Sequence, residues 1–180
     1  MSDANFISEI PGLALTAARY QLAENMADKI RNNEPIGLGM IGFIAADIAD
    51  GAILRSFDRD TPVRRVADGV VDHMSVARVS YEIWKKNPES RSYIGVLATR
   101  AALVGVLNSA HLAIAGEVTK GRLNQKATNL ATATFALAAS SGNRKATHIT
   151  GALASGIAIV TAASHLKDLG KKHVSGIREL

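Results

Sequence analysis

The sequence predicts an all-α fold of six helices, and three observations carry that reading. No run of residues alternates strictly between apolar and polar, as a half-buried strand would. Long Ala-, Leu-, Ile- and Val-rich stretches instead follow one another along the chain. Five short polar or turn-forming segments separate them. No internal repeat and no low-complexity tail interrupts the pattern.

The first helix is expected over residues 8–30 and stops at Asn32-Asn33-Glu34-Pro35. The second, 35–57, is strongly apolar yet carries Asp47 and Asp50. It ends at Asp58-Arg59-Asp60-Thr61-Pro62, where Pro62 suits the first turn of a following helix. The third, 63–84, carries Asp68 and Asp72 and ends on Trp84 before Lys85-Lys86-Asn87-Pro88, so Trp84 reads as an anchor at a membrane–water boundary. The fourth, 92–116, has Arg100 as its single formal charge. Lys120-Gly121-Arg122 precedes the fifth, 126–142, and Ser141-Gly142-Asn143-Arg144-Lys145 parts it from the sixth, 146–168. Residues 127–143 and 146–166 carry no formal charge at all.

A chain of 180 residues is long enough for one domain with a sizeable core, expected to span 1–180. It has no cysteine, which excludes disulfides, thiolate metal sites and a cysteine nucleophile. The net charge of +5 is spread rather than clustered, and only 4% of residues are aromatic. Stacking platforms for nucleic acid are therefore missing, and the basic surplus favours anionic substrates or an anionic membrane face. The polar, acidic start MSDANFISEI gives no sign of a cleavable signal peptide.

Composition leaves both a soluble and a membrane bundle open. The 146–166 segment reaches the ~20 residues that cross a bilayer, and 127–143 lies at the short end of that range. Small residues throughout suit close packing between membrane helices. Against this, Leu, Ile and Phe are sparse, so insertion would be weakly driven. With both termini cytoplasmic, segments on that side hold ten Lys and Arg against seven opposite, a modest positive-inside bias. The 58–62 turn then faces the cytoplasm.

The four aspartates are the chemical signal. A connection this short makes the second and third helices antiparallel neighbours. Asp50 and Asp68 each lie about nine residues from the middle of the turn, and Asp47 and Asp72 about twelve to thirteen. At ~1.5 Å rise per residue the four stand at two matching levels. The i,i+3 and i,i+4 spacings put each pair on one helix face. Such pairs are common on solvated helix faces, but here Phe43, Ile44, Ile48, Ile53 and Leu54 surround the first pair, and Val66, Val70, Val71 and Met74 the second. Carboxylates in such surroundings cost several kcal/mol unless a cation holds them. Converging hard oxygen ligands suit Mg²⁺ or Mn²⁺, and four could hold two ions.

Residues 47–72 resemble the signature of the CDP-alcohol phosphatidyltransferases, D-x2-D-G-x2-A-R-x8-G-x3-D-x3-D. Asp47, Asp50, Gly51, Arg55, Asp68 and Asp72 all fall in register without an insertion. Leu54 stands where that family has Ala, and Arg64 where it has Gly. Three shorter likenesses to phosphatidylglycerophosphate-synthase-like members occur in order: Pro11 with Leu15-Thr16-Ala17-Ala18-Arg19, Arg100 in the fourth helix, and Lys126-Ala127-Thr128 at the fifth.

The resemblance implies a six-helix transmembrane bundle, usually a homodimer, integral to the membrane with its active site toward the cytoplasm. It implies transfer of a phosphatidyl or related phospho-alcohol group from a CDP-alcohol to a small hydroxyl acceptor, with release of CMP, in phospholipid synthesis. Asp47, Asp50, Asp68 and Asp72 would hold the metal, and Asp72 would also be the general base on the acceptor hydroxyl. Gly51 would let the nucleotide approach the helix, and Arg55 would bind the diphosphate. Arg100 and Lys126 are candidates for an acceptor phosphate, each also readable as a structural or loop cation. Arg19 reads as an interfacial charge, and the histidines as polar groups on helices. Arg64 adds bulk and charge inside the motif, which keeps open a catalytically silent relative that retains the fold and metal or nucleotide binding. A soluble Ala-rich bundle using its acidic pairs for isoprenoid-type diphosphate chemistry is a more distant reading, since the DDxxD element of that chemistry is missing.

Overall fold

A computed structural model describes residues 10–57, 62–115 and 123–177, with side chains over 14–49, 69–111 and 126–167. Six α-helices account for almost all of it: α1 (Ile10–Arg31), α2 (Gly37–Phe57), α3 (Pro62–Lys86), α4 (Arg91–Ala115), α5 (Leu123–Ser140) and α6 (Arg144–Ile177). A single 3₁₀ turn, Pro88–Ser90, leads into α4, and no strand occurs among the described residues. The six-helix, all-α reading of the sequence therefore stands.

Among the described residues, two helical stretches are long and apolar enough to cross a membrane, Pro88–His111 and Arg144–Lys167. The expected 127–143 span falls in α5, which is only 18 residues long and is not one of these. The last helix exceeds its expected end at 168, continuing to Ile177, because the polar residues after Lys167 include no proline to stop it.

The chain groups into two compact units, Met1–Asn87 and Pro88–Leu180. In the first, α1 packs along both α2 and α3. Its buried face repeats at helical spacing through Thr16, Arg19, Ala23, Met26, Ala27 and Ile30. The alanines let the neighbours come close. Gly39 of α2 lies so near that a Cβ there would stand 2.7 Å from Met26 Cγ. The α1 terminus closes with Asn33 at φ 60°, its N–H on the Ile30 carbonyl at 3.2 Å and Glu34 N–H on the Lys29 carbonyl at 2.8 Å. This pair of bonds satisfies carbonyls that the helix end leaves open and turns the chain into α2. Lys86 at the end of α3 donates to Asn33 Oδ1 at 2.6 Å, tying the far end of the unit.

In the second unit α6 takes the central place, packing on α4 and α5. Asn143 caps it, with its Oδ1 accepting from Ala146 N–H at 3.0 Å. Arg144 pairs with Glu89 at 2.5 Å, fastening the helix start to the 3₁₀ turn. The buried stripe of α6 is Thr147, Gly151, Ala154, Ala158 and Thr161, against Thr128, Ala131, Phe135, Ala136 and Ala139 of α5. Tyr93 of α4 packs over Gly151. Its ring meets Phe135 edge-on at 5.9 Å, and its hydroxyl and His148 Nδ1 hydrogen-bond at 3.1 Å. A Cβ on Gly151 would lie 2.5 Å from that ring, so only glycine leaves it room.

Candidate functional site

The inward stripe of α1 leads directly to the aspartates. Arg19 is 3% exposed, and its Nη2 lies 3.2 Å from Asp47 Oδ1 while also donating to Asp72 Oδ1. One nitrogen on α1 thus joins a carboxylate from α2 to a carboxylate from α3. The guanidinium carbon lies 5.7 Å from the Phe43 ring centroid, one turn before Asp47 on α2. The aromatic face and two carboxylates together offset the cost of burying this cation. Arg19 is therefore not the interfacial charge the sequence suggested. The signal was present: it shares the helical period of Ala23, Met26, Ala27 and Ile30, the buried face of α1.

Asp47 and Asp72 themselves remain open to the outside, at 52% and 36% side-chain exposure. The cluster is a buried cation under a lip of accessible carboxylate oxygens. Asp50 lies one turn after Asp47 on α2 and Asp68 one turn before Asp72 on α3, spaced by three and four residues from the described pair. The side chains of Asp50, Gly51, Leu54, Arg55, Arg64 and Asp68 lie outside the described residues.

Three of the apolar neighbours of the aspartates point a different way from the one expected, while Phe43, Ile44 and Val71 are half-buried. Ile48, Val70 and Met74 are exposed at 66%, 52% and 51%. They do not wall the carboxylates in; they cover the outer faces of α2 and α3, while charge is gathered against α1. Leu38 and Ile41 are likewise outward on α2.

A second charged cluster, not anticipated from the sequence, lies further along α1 and α3. Glu82 is 3% exposed and accepts from Arg78 Nη1 at 2.6 Å and from Arg31 Nη2 at 3.1 Å. Arg78 Nε also donates to both oxygens of Glu24, at 3.2 and 3.0 Å. Lys85 Nζ stands 3.7 Å from Glu82, and Arg31 pairs with Asp28 at 3.1 Å. The spacing of Ser75, Val79 and Glu82 on the buried face of α3 was the available clue. Every charged group here meets an opposite charge, so the cluster fastens α1 to α3.

Arg100 and Lys126 belong to the second unit. Arg100 lies within α4 and is half-buried, and Lys126 is an exposed residue near the start of α5. Thr128, from the same Lys126-Ala127-Thr128 sequence, is buried and hydrogen-bonded to Thr161 at 3.0 Å, a packing role. The described histidines include His73, bonded to the Gly69 carbonyl at 2.6 Å, and His165, bonded to Asn108 at 3.0 Å. Both act as polar groups on helices. Trp84 is 43% exposed beside Lys85 and Lys86.

Among the described residues no group of three or more His, Asp or Glu side chains is arranged to hold a metal ion. The two described members of the expected ligand set nevertheless fit a cation between them. They are hard carboxylates from separate helices, they converge on one positive nitrogen, and they keep open faces. No protein-family model, curated protein or solved structure matches the chain.

Proposed function

We propose that this chain is a divalent-metal-dependent CDP-alcohol phosphatidyltransferase, built on one domain over residues 1–180 in a membrane. The observation that carries the reading is the in-register set Asp47, Asp50, Gly51, Arg55, Asp68 and Asp72, on two consecutive helices. The convergence of Asp47 and Asp72 on one buried cation supports it. The membrane setting draws on two apolar helical stretches of spanning length and on large apolar side chains facing outward. Arg19 and Glu82 turned inward with large aliphatic side chains outward is a distribution lipid favours.

Asp47, Asp50, Asp68 and Asp72 would hold Mg²⁺ or Mn²⁺, with room in the set for two ions. Bound there, the metal supplies positive charge that neutralises the diphosphate and eases departure of CMP. Arg55 contributes a planar fork of donors toward the diphosphate, and Gly51 leaves room for the nucleotide beside α2. Asp72 takes the proton of the acceptor hydroxyl as its oxygen bonds to the phosphorus bearing the lipid alcohol. The bond between that phosphorus and the bridging oxygen breaks, and its electron pair leaves with CMP. Arg100 and Lys126 are cations suited to an acceptor that carries a phosphate. The protein would work as a homodimer with its aspartates toward the cytoplasm.

The test is CMP release from a CDP-lipid by the detergent-purified chain, with Mg²⁺ or Mn²⁺, over a panel of acceptors including glycerol phosphate, inositol phosphate and serine. Metal-dependent release with one acceptor is the expected result, and silence across the panel rejects transferase activity. Binding of CDP and Mn²⁺ without release would identify instead a silent relative, with Arg64 in the motif as the residue to restore to glycine.

A further inference from the structure

Arg19 occupies an unusual position for a buried charge. Its guanidinium nitrogen is shared by Asp47 and Asp72, two carboxylates on different helices, and both keep exposed faces. Without a cation between them the two carboxylates repel, which would push α2 and α3 apart and raise the proton affinity of both. Phe43 supports the guanidinium, so the cation is seated by α2 as well as by α1. A divalent ion binding to the same carboxylates must either displace that nitrogen or share their oxygens with it. The two cations therefore compete for one negative site.

Building on the metal-site reading above, we propose that Arg19 is a positioning residue that serves as the resident counter-cation of the metal-free protein. It holds Asp47 and Asp72 toward one point and yields their oxygens when the ion arrives. The exchange keeps the carboxylates preorganised, at the cost of weaker metal binding. It also couples loading to exchange: while Arg19 pairs with Asp72 that carboxylate is engaged, and metal entry transfers it from the guanidinium to the ion.

Arg19→Met tests this, since it removes the charge and the donors while keeping an apolar stem of similar reach. Mn²⁺ affinity, read by electron paramagnetic resonance on the full chain in detergent, should tighten by roughly tenfold. Thermal unfolding in EDTA should fall below wild type, and saturating Mn²⁺ should close most of the gap. Equal or weaker Mn²⁺ binding in the variant overturns the proposal, as does an equal loss of melting temperature with and without Mn²⁺. Should Arg19→Met fail to fold, Arg19→Lys carries the test. An ammonium keeps the charge without the planar fork, so about threefold tighter Mn²⁺ binding is expected, and unchanged or weaker binding overturns the proposal. Wild-type protein that binds no Mn²⁺ rejects the metal-site reading and this inference with it. Wild-type binding with unaltered affinity in the variants rejects this inference alone.

Discussion

The two units solve the same packing problem with opposite materials. Each sets one helix between two others, α1 between α2 and α3, and α6 between α4 and α5. In Met1–Asn87 the buried face of the central helix includes Arg19, and its neighbour α3 buries Glu82. In Pro88–Leu180 the buried polar groups named on the central helix and α5 are neutral hydroxyls: Thr128, Thr147 and Thr161. Among the described residues, both stretches of membrane-spanning length and composition fall in the second unit. Burying charge is expensive and hydroxyls can be satisfied locally, so the two units meet different costs in closing their cores. Under the proposed function the Arg19 cluster belongs to the site, and the packing of α5 on α6 in the second unit reads as scaffold.

The strongest way to break this contrast is to neutralise Asp72. Under the proposed chemistry Asp72→Asn should lower the CMP-release rate by about 10²–10⁴-fold, the usual contribution of a general base. Measured turnover with circular dichroism as a fold control decides it. Retention of wild-type turnover would move the chemistry away from the Arg19 cluster and make that charge structural, like the pairs around Glu82. For those pairs the expectation concerns stability alone. Arg78→Ala removes the bidentate partner of Glu24 and the shortest contact of Glu82, and should cost about 2–3 kcal/mol in chemical denaturation. The estimate sits at or below the usual figure for a broken buried pair because Arg31 and Lys85 still face Glu82. Turnover measured well below the unfolding midpoint should stay near wild type.

Much of this contrast could be read from the chain. Polar breaks at 32–35, 58–62, 85–88 and 141–145 punctuate helices whose observed limits match to within a few residues, the far end of α6 excepted, because proline, glycine and clustered polar groups act locally. The spacing of Asp47 and Asp72 foresaw that both could reach one point. What spacing cannot supply is the third helix. Arg19 lies 28 and 53 residues from its partners, and only the packing of α1 against both α2 and α3 brings it there. Its register with Ala23 and Ala27 marked a buried face, but a lone arginine on such a face gives no partner from sequence alone. The outward turn of Ile48, Val70 and Met74 was hidden for a related reason. Apolar neighbours suggest burial in water, whereas these cover the outside of the helices.

The second unit can be probed where its packing is tightest. Gly151→Ala places a methyl group 2.5 Å from the Tyr93 ring, which is held by Phe135 and His148 and cannot simply turn aside. A loss of about 1–3 kcal/mol is expected, the usual cost of overpacking a filled interior. Gly39→Ala in the first unit should cost less, because the methionine it meets is unbranched and adjustable. If the two glycine variants cost the same, the view of the second unit as the more rigid scaffold fails.

The smallest expected effect gives the finest test of the same distinction. Thr128 and Thr161 share a buried hydrogen bond at 3.0 Å, and Thr161 also donates to the Ala158 carbonyl at 3.1 Å. Each single change to valine removes one side of a neutral pair and should cost about 1 kcal/mol. The double change removes both hydroxyls and leaves two apolar groups of the same shape, so it should cost less than the sum of the singles. Denaturation of the four proteins measures that coupling directly. The parallel cycle at Arg19 and Asp72 should differ in kind. Removing either charge there leaves an ionised partner, and the coupling should shrink when Mn²⁺ is present, because a second cation takes over the carboxylate. A Thr128–Thr161 coupling indifferent to Mn²⁺, beside an Arg19–Asp72 coupling that metal abolishes, would separate scaffold from site by measurement.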